Sequence, residues 1–153
     1  MTLRLAINGF GRVGRCVLRA LYERQQQAGS PGPAGMQVVA INELADLDTI
    51  AYLTRYDSTH GRFPGRVELA SEGSERLLIE GDEIQVTHQQ SLAELPWAEN
   101  NVDLVLECTG TFAQRSIAQQ HIAAGAKAVL FSQPAEADID ATVVYGINHR
   151  QLS

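Results

Sequence analysis

An α/β fold is predicted for this chain, doubly wound around a mostly parallel sheet with a small antiparallel insertion. Three observations predict it. Apolar runs of strand length recur along the sequence and alternate with stretches of helical period. The first run passes directly into Gly9-x-Gly11-x-x-Gly14 and then into a helical pattern. The links between runs are short, which favours parallel strands with helices on both faces. At 153 residues the chain is long enough for one domain with a substantial core, taken here as residues 1–153.

The elements follow in order. Leu3, Leu5 and Ile7 mark the opening strand. The helix after the glycines carries Val13, Val17, Ala20 and Leu21 on one face and Arg12, Arg15, Arg19 and Glu23 on the other, read as solvated. It fades over residues 23–27, and the turn formers of residues 28–35 make a surface loop. Residues 36–42 are apolar enough for a buried parallel strand. Asp46 is an N-cap for a helix reaching about Tyr56, and residues 57–61 are a turn. Alternation in residues 65–90, broken by a turn at 80–83, predicts the antiparallel insertion, and residues 91–97 form a short connection. A strand over 102–108, a helix over 114–124 ending at Gly125, and strands over 127–132 and 141–145 complete the pattern. The sequence stops soon after that last strand, and a further segment is expected.

The glycine spacing has a chemical meaning. Gly9 lets the chain turn tightly off the strand, Gly11 lets backbone amides approach a pyrophosphate, and Gly14 lets the helix lie close to the sheet. The helix N-terminus then offers unpaired N–H donors and partial positive charge to phosphate. This is the Rossmann-type dinucleotide corner, with Gly9, Phe10, Gly11, Arg12, Val13 and Gly14 as candidate cofactor-binding residues. Glu43 closes the second strand, where a carboxylate accepts hydrogen bonds from the adenosine ribose hydroxyls. It lies 29 residues beyond Gly14, and the loop at 28–35 accounts for that length. A 2′-phosphate at about 4 Å from Glu43 would cost roughly 1–4 kcal/mol, so NAD is expected over NADP.

Bulk properties exclude several classes. Twelve basic against eighteen acidic residues give a net charge of −6, with no electrostatic footprint for nucleic acid or anionic membrane. No apolar stretch approaches the ~20 residues of a membrane span, and no signal peptide is visible. Cys16 and Cys108 do not suggest a disulfide framework, and a cytoplasmic location is the default. His88, His121 and His149 lack metal spacing, so no metal site is expected. His60 reads as a structural hydrogen-bonding group, Cys108 as inert packing, and Asp103 and Glu107 as solvated or capping residues.

Several segments resemble glyceraldehyde-3-phosphate dehydrogenases. They are residues 6–15 (Ala-Ile-Asn-Gly-Phe-Gly-Arg-Val-Gly-Arg), 56–63 (Tyr-Asp-Ser-Thr-His-Gly-Arg-Phe), 95–97 (Leu-Pro-Trp), 107–112 (Glu-Cys-Thr-Gly-Thr-Phe) and 124–127 (Ala-Gly-Ala-Lys). Residues 41–46, 121–125, 129–132 and 141–146 most resemble the branch of that family that acts on D-erythrose 4-phosphate. The resemblance implies an NAD-dependent aldehyde dehydrogenase. Backbone at Arg12 and Val13 would hold the pyrophosphate, and Glu43 the adenosine ribose. Thr109, Gly110 and Phe112 would line the cofactor groove, and Ser132 would sit near the nicotinamide. Gln90 stands near the adenine end where the family commonly has arginine, so a contact there is uncharged and weaker.

The resemblance also implies catalysis by a cysteine thiolate assisted by histidine. In the erythrose branch water completes the oxidation to 4-phosphoerythronate, a step toward pyridoxal phosphate. The Ser-Cys-Thr-Thr-Asn-Cys segment of the nucleophile is absent from this sequence. No catalytic residue is therefore assigned here, and this chain alone is expected to be inactive. The complete protein is expected to be a homotetramer acting on a sugar phosphate held by a second domain. The alternatives are the glycolytic glyceraldehyde-3-phosphate enzyme and a free-standing, non-catalytic NAD-binding module.

Overall fold

The computed structural model describes residues 2–26, 35–71 and 73–152. The expected loop over 28–35 lies outside them apart from Gly35. The parallel strands are β1 (Leu3–Asn8), β2 (Met36–Asn42), β7 (Asp82–Thr87), β8 (Leu104–Glu107) and β9 (Ala128–Phe131). The antiparallel strands β5 (Val67–Leu69) and β6 (Arg76–Ile79) extend the same sheet, giving the order β5-β6-β7-β2-β1-β8-β9. A separate two-stranded hairpin pairs β3 (Tyr56–Asp57) with β4 (Gly61–Arg62). The chain is a mostly parallel, Rossmann-type α/β domain, as the sequence predicts.

Two cores sandwich the sheet. Leu5, Ile7, Val38, Ile41, Ile84 and Val86 pack one face against Leu18 and Tyr22 of α1 (Arg12–Gln26) and Ile50 and Ala51 of α2 (Leu47–Arg55). Ala6, Val39, Ala40 and Val105 pack the other against Leu92, Leu95, Trp97 and Val102, with Ile117 of α3 (Arg115–Ala123) at its margin. The register slips between Leu5 and Ala6, which pair with Val38 and Ala40. Val39 is the extra residue of a bulge, so Val39 and Ala40 share a core. Asp46 caps α2 by accepting the Thr49 amide at 2.8 Å.

Several expectations need correction. The insertion forms as an antiparallel meander of β5, β6 and β7, whose last strand also pairs parallel with β2, but its turn narrows to Glu80 and Gly81 with Asp82 and Glu83 already in β7. No strand forms over 141–145. Asn148 Oδ1 instead accepts the Val144 amide, and the Ile147 and Asn148 amides return to the Val144 carbonyl. Local turn chemistry wins there, leaving Tyr145 89% exposed.

The buried face of α1 is Gly14, Leu18, Arg19 and Tyr22, while Val13 and Ala20 are exposed. The arginines are not a uniformly solvated face, because the β3–β4 hairpin covers Arg19 and meets Arg12, although Arg12 stays half exposed. Arg12 pairs with Asp57 at 2.7 Å, and Arg15 reaches back to the Phe10 carbonyl at 3.1 Å. Arg19 is 6% exposed, donates to the Gly61 carbonyl at 2.9 Å and lies 5.4 Å from the Phe63 ring centroid. Glu107, read as solvated or capping, does accept the nearby Thr109 amide but is 1% exposed, because Asn8 and His121 reach it from other elements.

Arg19→Ala removes a charge-assisted hydrogen bond and a cation–π contact, and should lower stability by about 2–3 kcal/mol in urea unfolding. Arg24→Ala, on the exposed side of the same helix, should change it by less than about 0.5 kcal/mol. Equal effects would show that the hairpin contributes nothing to the burial of Arg19.

Candidate functional site

The strand order reverses between β1 and β8, and a crevice opens there at the C-terminal strand ends. Its volume is about 450 Å³. Asn8, Gly9, Gly11, Asn42, Glu43, Leu44, Gln89, Gln90, Leu92, Cys108, Thr109, Thr111 and Phe112 line it. A second hollow on the outer hairpin, between Arg66, Glu68, Leu78, Glu80 and Gly81, has neither a helix terminus nor a parallel strand end.

Three glycines make the corner. Gly9 has φ +87°, and a Cβ there would lie 2.6 Å from the Thr109 amide nitrogen, so only glycine lets the ends of β1 and β8 approach. A Cβ on Gly14 would stand 2.5 Å from the Gly9 carbonyl oxygen, so α1 lies directly on the turn. A Cβ on Gly11 would meet nothing within 4 Å. The first bond at this end of the helix runs from the Arg15 amide to the Gly11 carbonyl at 3.1 Å, so the amides before it have no helical partner. Open space beside unpaired amides and a positive helix end suits an anionic diester.

Glu43 stands across the crevice, held by backbone. Its Oε2 accepts the Phe10 amide at 2.8 Å and its Oε1 the Leu44 amide at 2.7 Å. Oε1 also accepts the Ala45 amide at 3.4 Å, so Oε2 is the oxygen that keeps a lone pair for a diol hydroxyl. The Glu43 carbonyl faces His88 Nδ1 at 2.7 Å, and His88 Nε2 lies 3.0 Å from Glu75. Burial pulls His88 down, but those two acceptors outweigh it and hold the ring above its ordinary value.

The structure brings Gly9, Gly11, Glu43, Gln90, Thr109 and Phe112 together on the crevice wall. Phe10 buries its ring and offers only its amide, which Glu43 takes. The Arg12 guanidinium is engaged by Asp57, whose carboxyl is held well below the usual range by the His60 and Thr59 amides. Val13 is half exposed, and Gly14 lies behind the turn. Gly110 falls between two lining residues without itself lining the crevice. Ser132 is also off the wall, its amide bonded to the Glu107 carbonyl at 3.0 Å. Cys108 is buried, and burial pushes its thiol up, which disfavours a nucleophile.

Sequence reasoning missed a polar row beneath the crevice. Thr87, Asn42, Asn8 and Glu107 are register partners across four adjacent strands. Thr87 Oγ1 donates to Asn42 Oδ1 at 2.9 Å, Asn42 Nδ2 to Asn8 Oδ1 at 2.9 Å, and Asn8 Nδ2 to Glu107 Oε2 at 2.7 Å. The visible signal is that four apolar strand runs each end on a polar residue. Among the described residues, no group of three or more His, Cys, Asp or Glu could hold a metal, and no helix is long and apolar enough to cross a membrane. The family model described as the NAD binding domain of glyceraldehyde 3-phosphate dehydrogenase matches residues 3–115.

His88 should titrate with a midpoint above the ~6.5 of a free histidine. Its protonated form is the one the fold favours, so its contribution to stability is full below that ordinary value. The contribution fades as pH rises through the raised midpoint. A ring-proton NMR titration measures this, and Glu75→Gln should move the midpoint down. A midpoint at or below ~6.5 would contradict the geometry.

Proposed function

The chain belongs to the family of NAD-binding domains of glyceraldehyde-3-phosphate dehydrogenases, and from that premise we propose how its crevice holds the dinucleotide and what the complete protein oxidises. As a member of that family it is an NAD-binding unit of an oxidoreductase. The observation that carries the proposed pose is the pairing of an open Gly11 corner with a backbone-held Glu43 across one crevice. The pyrophosphate lies on the amides at Gly11, Arg12 and Val13, with the turn at Gly9 and Phe10 below it. Glu43 takes the adenosine ribose diol, and Gln90 lies toward the adenine. Thr109, Gly110 and Phe112 flank the groove on the nicotinamide side, with Ser132 beyond them. When bound, the nicotinamide supplies a hydride acceptor. The residues of this chain bind and orient it.

The substrate proposed is D-erythrose 4-phosphate, oxidised to 4-phosphoerythronate on the way to pyridoxal phosphate. Its support is sequence resemblance in residues 41–46, with glutamate at 43 where the glycolytic enzymes usually have aspartate, and in residues 121–125, 129–132 and 141–146. Glyceraldehyde 3-phosphate is the second reading, favoured by segments such as 56–63 and 95–97 that resemble the family at large. The attacking thiol is assigned to a second domain, because Cys108 is buried with its thiol pushed up by burial. A non-catalytic NAD-binding module is the reading left if no such domain acts with this one. The proposal extends to a homotetramer in the cytoplasm, without nucleic-acid or membrane partners, which the net charge of −6 supports.

Calorimetry with NAD and NADP tests the pose. Glu43→Ala should narrow the preference for NAD by about fivefold or more, the equivalent of removing a like-charge contact of ~1–4 kcal/mol. An unchanged ratio would mean that Glu43 does not read the ribose. Turnover of the two aldehydes by the complete protein tests the substrate. D-erythrose 4-phosphate should be oxidised without inorganic phosphate, and strict phosphate dependence with preference for glyceraldehyde 3-phosphate would reverse the assignment.

A further inference from the structure

The polar row ends on Glu107, and its direction is fixed. A carboxylate only accepts, so every donor on either side points toward it. From β1 comes Asn8 Nδ2 at 2.7 Å, and from α3 comes His121 Nε2 at 2.8 Å, both onto Oε2. His121 is fully buried, and its Nδ1 accepts the indole N–H of Trp97 at 3.0 Å. An indole only donates, so the imidazole proton sits on Nε2, facing Glu107. The other oxygen, Oε1, accepts the Thr109 amide at 3.0 Å and the Thr109 hydroxyl at 2.6 Å.

This settles what Thr109 offers the crevice. Its one hydroxyl proton is committed to Glu107, so its oxygen presents lone pairs alone. One meets the Thr111 amide at 3.3 Å, which leaves the other for the crevice that Thr109 lines. We propose that Glu107, His121 and Trp97 are positioning residues of the dinucleotide site, holding the Thr109 hydroxyl as an acceptor that receives a hydroxyl or amide donor of the bound nucleotide. The proposal rests on the reading of the crevice as a dinucleotide site. A fully satisfied buried network fixes one arrangement rigidly, and this one joins β1, β8, α3 and the segment around Trp97 directly behind the groove.

The test uses the full chain and two readouts, NAD affinity by calorimetry and the indole 1H–15N resonance of Trp97, the sole tryptophan. His121→Leu keeps bulk but removes donor and acceptor. His121→Gln keeps one of each, and Thr109→Val keeps shape without the hydroxyl. His121→Leu and Thr109→Val should each weaken NAD binding about five- to thirty-fold. The double variant should lose no more than the worse single change, since both act through one oxygen. His121→Gln should return to within about twofold of the parent. NAD should shift the indole resonance in the parent and leave it unmoved in Thr109→Val.

Additive losses, parental affinity in His121→Leu, or a static indole resonance in the NAD-saturated parent would each overturn the proposal. Should His121→Leu not fold, the Gln variant and the indole shift in Thr109→Val still decide. No NAD binding by the parent would remove the dinucleotide reading and this inference with it, whereas parental affinity in every variant would remove the inference alone.

Discussion

The site depends on one steric fact: nothing may stand between the backbone at Gly9 and the backbone at Thr109. A Cβ there would come within 2.6 Å of an amide nitrogen, a separation that would force β1 and β8 apart. Those strands meet where the sheet order reverses, so their separation sets the width of the crevice. The same turn carries Gly14 under its carbonyl, which brings the positive end of α1 to the crevice rim. Glycine at these two positions is a packing requirement, and it leaves open space at Gly11.

The turn and the acid across from it are one unit. The Phe10 amide, in the middle of the glycine corner, donates to Glu43 at 2.8 Å. Glu43 is therefore oriented before any ligand arrives, and little side-chain entropy remains to be lost on binding. The bond also couples the two walls of the crevice, since displacing the glycine turn would release the carboxylate. His88 braces the same residue from behind through the Glu43 carbonyl.

Much of this was legible in the sequence, and the reason is locality. The glycine spacing, the strand ending before Glu43, the Asp46 cap and the Gly125 stop are each set by residues within a few positions of one another. Most of what escaped depends on distant pairs. Arg19 sits among charges at helical spacing and reads as solvated, yet Gly61 and Phe63 cover it from 42 residues away in the case of the Gly61 bond. Glu107 and His121 carry no local mark that they are hydrogen-bonded. The run at 141–145 escaped for a local reason instead, because it has strand propensity but Asn148, four residues on from Val144, offers its backbone a nearer partner.

The polar row poses a question of cost. Buried, hydrogen-bonded charge is seldom a net gain in stability over well-packed apolar residues of similar volume. Burial alone would push the Glu107 carboxyl up, yet bonds from His121, Thr109 and Asn8 outweigh it and hold the group below its usual range. The neighbouring positions of β1 and β8 are apolar and pack without such expense. The difference is location, because the row lies at the last paired residue of four strands, immediately under the crevice. An apolar row would hold the strands equally well but would give the crevice no fixed donors or acceptors. Asn42 anchors the Gln89 amide and carbonyl at one end, and Glu107 anchors Thr109 at the other. With a single acceptor-only group at its end, the row has one low-energy orientation, and both walls of the crevice inherit it.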